Sequence, residues 1–279
     1  HEWGHYISNR LIGDASGLTT NHARGLGEGW GDFHALLLMI GAGDINVPSN
    51  ANWKGTYAVA AHALSTDYSL DAANRAYYGL RRYPYSTDMS KNPLTLRHIV
   101  DGQALPDTRT APRNPAAGGL NAEVHNAGEV WASILWECYA SLLNAHPFQE
   151  AQDRMKSYLV AGYKLTPVNP TLIEARDALL AAAGASDPAD YMRFASAFAK
   201  RGAGVQASVP DRYSGTNAGV TESYGMNGSL EITGMKLSLT DTGAQRCDAD
   251  TVLDSGETGV LTITLRNREL QTTVGTEQR

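Results

Sequence analysis

This sequence predicts a mainly helical domain that runs into the start of a β-sandwich-like module, and three observations predict it. Apolar residues recur at helical spacing through most of the chain up to Lys200. Pro170 and Pro188 stand at what read as first helical turns, where the missing N–H costs nothing. After Arg201, Ala and Leu give way to Ser, Thr, Gly and Val, and the apolar pattern becomes an alternation.

The elements follow in order. A helix over residues 1–11 stops near Gly13, and the polar stretch 14–27 reads as a loop. A second helix is expected over 28–40, where Trp30, Phe33, Leu37 and Ile40 keep helical spacing, and Gly41-Ala42-Gly43 ends it. Residues 67–93, rich in Tyr, Arg and Asn, form a long irregular segment of the kind that is functional or disordered. Helices over 122–144, 147–162, 170–183 and 188–200 follow, and strands over 229–233 and 259–266. A domain break between Val209 and Val220 divides a helical part, 1–215, from a partial β-rich accessory part, 216–279.

Composition narrows the function classes. With 279 residues, 42% of them hydrophobic and 19% charged, the chain has the profile of a globular protein. Twenty-three Lys and Arg against twenty-nine Asp and Glu leave a net charge of −6, and no basic run could neutralise a phosphate backbone, so no nucleic-acid partner is expected. The longest apolar patch is the short run ending at Ile40, well under the roughly 18–20 residues of a spanning helix, so no membrane role is expected. Cys138 and Cys247 are too few for a disulfide scaffold and lack Cys-x-x-Cys spacing; whether they pair stays open.

The chemistry concentrates at two places. His1-Glu2-Trp3-Gly4-His5 is a His-Glu-x-x-His motif: four residues apart on a helix, His1 and His5 lie about 40° from each other and can share a cation. Glu2, offset by about 100° from His1, can reach a water beside that cation and act as a general base. The plainer reading is a surface helix with two solvated histidines. A second helix start, Gly27-Glu28-Gly29-Trp30-Gly31-Asp32-Phe33, carries two carboxylates one turn apart among glycines that allow close approach. Glu28 can supply a third, anionic ligand and Asp32 can accept the other ring N–H of a ligand histidine. The alternative for both is ordinary acid at a helix N-terminus. Because the first motif belongs inside a helix and nothing precedes it, the sequence is expected to be a fragment.

Residues 1–11, followed by 27–33, resemble the signature of the fungalysin family of secreted zinc metalloendopeptidases, relatives of thermolysin. Further blocks resemble that family in the same order, namely Arg81-Arg82-Tyr83-Pro84-Tyr85-Ser86-Thr87-Asp88-Met89, Lys91-Asn92-Pro93, Val124-His125-Asn126-Ala127-Gly128-Glu129-Val130-Trp131-Ala132, Pro170-Thr171 with Ala175-Arg176-Asp177-Ala178, and residues 198–205. The likeness covers residues 1 to about 207. It implies the helical half of a thermolysin-like catalytic domain, with His1, His5 and Glu28 as ligands of one catalytic Zn2+, Glu2 as the base, and His125 donating to the oxyanion with Glu123 holding it. It also implies secretion, extracellular protein or peptide substrates, and two partners in the full-length protein: the N-terminal half of the catalytic domain and a pro-segment. The fragment alone is expected to be a poor protease or inactive.

One departure concerns tyrosine. Thermolysin carries one between the second histidine and the third ligand, whereas residues 14–27 contain none. Tyr83 and Tyr85 are candidates for its role, against a place in the core or the substrate wall. His22 in that loop is expected at the surface. In the tail, Asp248, Asp250, Asp254 and Glu257 gather in a turn as Ca2+ loops do, without the spacing of an EF-hand; a solvated acidic turn is the other reading. Two further functions stay open, a zinc amidase acting on another substrate and a non-catalytic binding module.

Overall fold

Helix α1 (Glu2–Leu11) stops where Ile12 turns extended and Gly13 takes a φ of 59°. The computed structural model describes residues 1–62, 72–106, 120–226, 230–239, 253–254 and 257–267. Helix α2 (Asn21–Met39) begins seven residues before the expected start at Glu28, because Thr20 caps it, the Thr20 hydroxyl accepting the Ala23 N–H at 3.3 Å. Residues 21–27, expected as loop, are therefore helix. Four glycines, at positions 25, 27, 29 and 31, lie inside α2. Each weakens an isolated helix by up to about 1 kcal/mol relative to Ala, which is why the local pattern reads as a break.

What the glycines lose in propensity they recover in approach. A β-carbon on Gly4 of α1 would lie 2.7 Å from the Gly31 Cα, so α1 and α2 cross backbone to backbone there. The same occurs between α2 and α4 (Val124–Leu143; α3 is Ala72–Tyr78), where a β-carbon on Gly128 would fall 2.7 Å from the Glu28 Cβ and 2.7 Å from the Gly29 nitrogen. Both crossings sit beside Glu28. The stretches of three helices that carry His5, Glu28 and His125 are thus packed closer than side-chain-bearing helices allow.

Helix α4 is the centre of the domain. Sixteen of its twenty residues are buried, so it is apolar nearly all round rather than on one stripe. Trp131 packs edge-on against Trp30 of α2 with ring centres 6.0 Å apart, and Tyr139 packs likewise on Phe33 at 6.2 Å. Burying each such ring is worth about 1.5–3 kcal/mol, with roughly 0.5–1.5 kcal/mol more for the pair geometry. Helices α5 (Phe148–Leu165), α6 (Leu172–Ser186) and α7 (Pro188–Lys200) complete the bundle. Thr171 and Glu174 form a capping box on α6, and Pro188 occupies the first turn of α7 under the Asp187 cap. Pro170 stands one residue outside α6, before its cap.

Two more expectations change. Part of the expected irregular segment, 72–78, is helix α3. His22 is buried at 4% exposure, and its Nε2 accepts the Leu172 N–H at 2.9 Å, closing the first turn of α6. Burial holds its pKa down at about 4, so the ring is neutral; it is a core residue and not a surface one. Cys138 is a free, fully buried thiol inside α4, while Cys247 lies outside the described residues.

The chain divides into two compact units, His1–Met226 and Asn227–Arg279. The break falls later than residue 215 because residues 203–223 fold back on the first unit. Gly204 and Ser223 are joined by an N–H···O bond of 2.8 Å, Ser208 pairs with Thr221, and Glu222 is ion-paired with Arg97. In the second unit β1 (Leu230–Leu239) pairs antiparallel with β2 (Gly259–Asn267), with an irregularity between Ile232 and Gly234. The strand expected over 229–233 runs on to Leu239. Among the described residues these two strands form the whole sheet. No helix among the described residues is long and apolar enough to cross a membrane.

Candidate metal centre

His1 stands at the N-cap of α1 and His5 one turn on, so their rings leave the same face. Glu28 and Asp32 occupy successive turns of α2, two turns in from its start, which removes the helix-terminus reading of both acids. The α1–α2 crossing at Gly4 and Gly31 brings the two faces together. The His1 ring packs against Gly31, where a β-carbon would meet its Nδ1 and Cε1 at 3.0 Å.

The donor atoms converge. His1 Nε2 is 3.0 Å from His5 Nε2 and 3.2 Å from Glu28 Oε2, which is 3.5 Å from His5 Nε2. Among the described residues these three side chains are the one group of His, Cys, Asp or Glu with donor atoms gathered closely enough to hold a metal ion. Glu28 Oε2 is buried and makes no hydrogen bond of good geometry, although imidazole nitrogens surround it. An unpartnered buried carboxylate oxygen is costly. Tetrahedral zinc, with ligands at about 2.0–2.1 Å, keeps ligand atoms roughly 3.3 Å apart, so two imidazoles and a carboxylate at these separations fit one. Burial pushes the Glu28 carboxyl upward, yet the His1, His5 and His125 imidazoles outweigh it and hold it well below its ordinary range; it is an anion.

Asp32 fixes His1. Its fully buried carboxylate takes the His1 Nδ1–H at 2.7 Å, which directs Nε2 at the convergence point, where it must shed its proton to bind a metal. Three other bonds hold that carboxylate: Arg81 donates from Nε at 2.5 Å and from Nη2 at 2.8 Å, and the Tyr85 hydroxyl donates to Oδ2. Burial opposes its ionisation, but the Arg81 charge and the bonds from His1 and Tyr85 keep its pKa at about 2. The same bond to Asp32, with Glu28 next in weight, raises His1 to about 9.

His125 comes from the first turn of α4 and points its Nε2 at Glu28 Oε2, 3.3 Å away. Its Nδ1 donates to Glu123 Oε1 at 2.7 Å. Glu123 also caps α4, accepting the backbone N–H groups of His125 and Asn126. His125 is half-exposed, and Glu2, in the first turn of α1, is exposed. Tyr83 and Tyr85 are both fully buried, and the Tyr85 hydroxyl is engaged by Asp32, which puts both tyrosines in the core.

Sequence reasoning gave no role to Arg81 or Arg82, and weighed Tyr85 as a stand-in for the thermolysin tyrosine or a core residue, not as a partner of Asp32. The available signal was two adjacent arginines in an acidic chain, running into Tyr-Pro-Tyr: buried arginines need buried carboxylates, and Asp32 was already in view. The calcium expectation finds no support. Asp248 and Asp250 lie outside the described residues, and Glu257 accepts the Asp254 N–H at 3.1 Å in a plain turn closure.

Comparison with known proteins points the same way as the donor set. The chain is 32% identical over 227 residues to an extracellular metalloproteinase, mep, of Aspergillus terreus, covering 75% of this chain and 30% of that protein. The mep of Aspergillus flavus is 34% identical over 226 residues, 74% of this chain and 30% of the relative. Extracellular metalloproteinase 2 of Trichophyton rubrum is 31% identical over 224 residues, 74% and 29% respectively. The chain therefore spans under a third of the length of these curated relatives. The model of the fungalysin metallopeptidase family (M36) matches residues 1–207, and the chain belongs to that family.

Proposed function

We propose that this chain carries the metal-binding half of a secreted zinc endopeptidase that hydrolyses peptide bonds of extracellular proteins. The observation that carries the reading is the convergence of His1 Nε2, His5 Nε2 and Glu28 Oε2 within 3.5 Å of one another, with Glu28 Oε2 buried and making no hydrogen bond of good geometry. Zinc held there supplies a Lewis acid that acidifies water and polarises a carbonyl. Glu2, exposed between the two histidines, takes the proton from the attacking water and returns it to the leaving amine. His125, oriented through Nδ1 by Glu123, donates from Nε2 to the oxyanion that develops on the scissile carbonyl. Asp32 keeps His1 in the tautomer that binds metal.

The relatives bear the word extracellular in their names, which supports secretion. Their greater length supports a cleft completed by a further, N-terminal part of the catalytic domain, with a pro-segment controlling it. The exposure of Glu2 and His125 fits a site whose second wall comes from elsewhere.

The test is zinc content by elemental analysis of the full-length protein, with hydrolysis of a generic protein substrate in the presence and absence of a chelator. One zinc and chelator-sensitive cleavage are expected. Glu2→Gln should keep the metal and abolish cleavage, and Glu28→Ala should lose both. Cleavage that survives Glu2→Gln removes Glu2 as the base, and a protein without bound zinc removes the reading altogether.

A further inference from the structure

Arg81 and Arg82 are consecutive residues of an irregular, bent segment, and their side chains reach different helices. Arg81 goes to Asp32 in α2, beneath the metal ligands. Arg82 goes to α4, beneath His125, and is 4% exposed. Its Nε donates to Glu129 Oε2 at 2.7 Å, its Nη1 to Asn121 Oδ1 at 2.6 Å and its Nη2 to the Asn126 carbonyl at 2.7 Å. The other Glu129 oxygen accepts the Tyr83 N–H at 2.7 Å. Glu129 and Asn121 are fully buried, and Asn121 is anchored in turn on the carbonyls of Val100 and Gln103 at 3.0 and 2.8 Å.

These bonds grip the first turn of α4 from both ends. Asn121 lies in the turn before the helix, Asn126 is the residue after His125, and Glu129 is one turn on. The His125 ring is held through Nδ1 by the half-exposed Glu123 carboxylate and faces Glu28 Oε2 with Nε2 at 3.3 Å, so its height above Glu28 depends on where the backbone of 121–129 is held.

We propose that Arg82 is a positioning residue for the peptidase reaction: through Asn126, Asn121 and Glu129 it sets the place of His125 over the metal site, while leaving the metal ligands to Arg81 and Asp32. The inference rests on the function proposed above. A displacement of a donor by about 1 Å can cost on the order of a hundredfold in rate, so the effect belongs in turnover and not in substrate or metal affinity.

The experiment uses the full-length protein. Arg82→Lys keeps the charge opposite Glu129 and gives up the two Nη bonds. Should that variant fail to fold, Arg82→Met with Glu129→Gln leaves no unpaired buried charge. Zinc affinity by competition with a chromophoric chelator and the visible spectrum of the cobalt-substituted protein report the metal site; kcat and KM report the reaction; and the same changes are repeated in a His125→Ala background. Zinc affinity, cobalt spectrum and KM are expected to stay within about twofold of the parent, with kcat down on the order of 10- to 100-fold. In the His125→Ala background the further loss should be under about twofold, because both changes remove one interaction. An equal loss in both backgrounds, a fall in zinc affinity in step with kcat, or an unchanged kcat each overturns the role of Arg82. A parent protein without zinc-dependent cleavage overturns the function reading, and the Arg82 proposal with it, and is seen before any variant is made.

Discussion

The two histidine–carboxylate pairs of the site use the same bond in opposite surroundings. His1 Nδ1 meets Asp32 at 2.7 Å, and His125 Nδ1 meets Glu123 at 2.7 Å. Asp32 is 0% exposed and also bound by Arg81 and Tyr85, whereas Glu123 is 41% exposed and otherwise bound only by backbone N–H groups at the α4 cap. The buried pair is rigid because its carboxylate has nowhere else to go and would be costly to leave unpaired. The exposed pair shares its carboxylate with water and is screened by salt. On the function proposed above, the ligand that holds the cation is built the first way, and the donor that meets substrate in an open cleft is built the second.

The largest effect in this comparison should come from Asp32→Asn. It leaves Arg81 buried without its counter-charge and leaves one neutral amide oxygen where two carboxylate oxygens served His1, Arg81 and Tyr85; we expect a loss of about 3–5 kcal/mol in unfolding free energy and a 10- to 100-fold weaker zinc affinity. Denaturant unfolding and chelator competition measure both, and a variant with parental zinc affinity would break the contrast. Next is Gly128→Ala, whose new β-carbon would strike Glu28 Cβ at 2.7 Å. Forcing α2 and α4 apart should cost about 1–3 kcal/mol and weaken zinc binding, since Glu28 rides on the displaced turn; thermal unfolding with and without zinc checks it.

A third, smaller effect is set by pH. His22, His34 and His98 are buried, and burial holds each at about 4 against 6.5 unfolded. The unfolded chain therefore binds more protons between those values, so stability is full above 6.5 and is lost as the pH falls toward 4. The melting temperature should drop on acidification in the upper part of that window, before carboxylates protonate, and a flat profile would show that these rings are not buried neutral. Smallest is Glu123→Gln. Its cost in stability should be about 1 kcal/mol or less, with a turnover loss below about tenfold that narrows as salt is added. A salt-independent, hundredfold loss would mean the exposed pair is as rigid as the buried one.

His1, Glu2 and His5 could be read from order alone because their relation is one helical turn, and the helix period places them on adjoining faces whatever packs around them. Helices α4 to α7 were legible for the same reason: an apolar repeat with caps and prolines is a local signal. Glu28 and Asp32 were legible as a pair and misplaced as a helix start, because glycines at 25, 27, 29 and 31 look like breaks until α1 and α4 lie against them. His22 was misplaced because its partner, the Leu172 N–H, is 150 residues away.

Arg81, Arg82 and Tyr85 gave a compositional signal, adjacent arginines in an acidic chain, and none that named their partners. They sit in an irregular segment where periodicity is silent, and their partners Asp32 and Glu129 come from helices on either side of it in the chain. Which acid each arginine meets depends on an irregular, bent segment sending adjacent side chains to different helices, and on those helices being close enough to be spanned. Chemistry written within a single turn of helix is carried by bond geometry and survives in the order of the letters. Chemistry written across dozens of residues exists only once burial has forced charges to find one another, and that is a property of the packed chain.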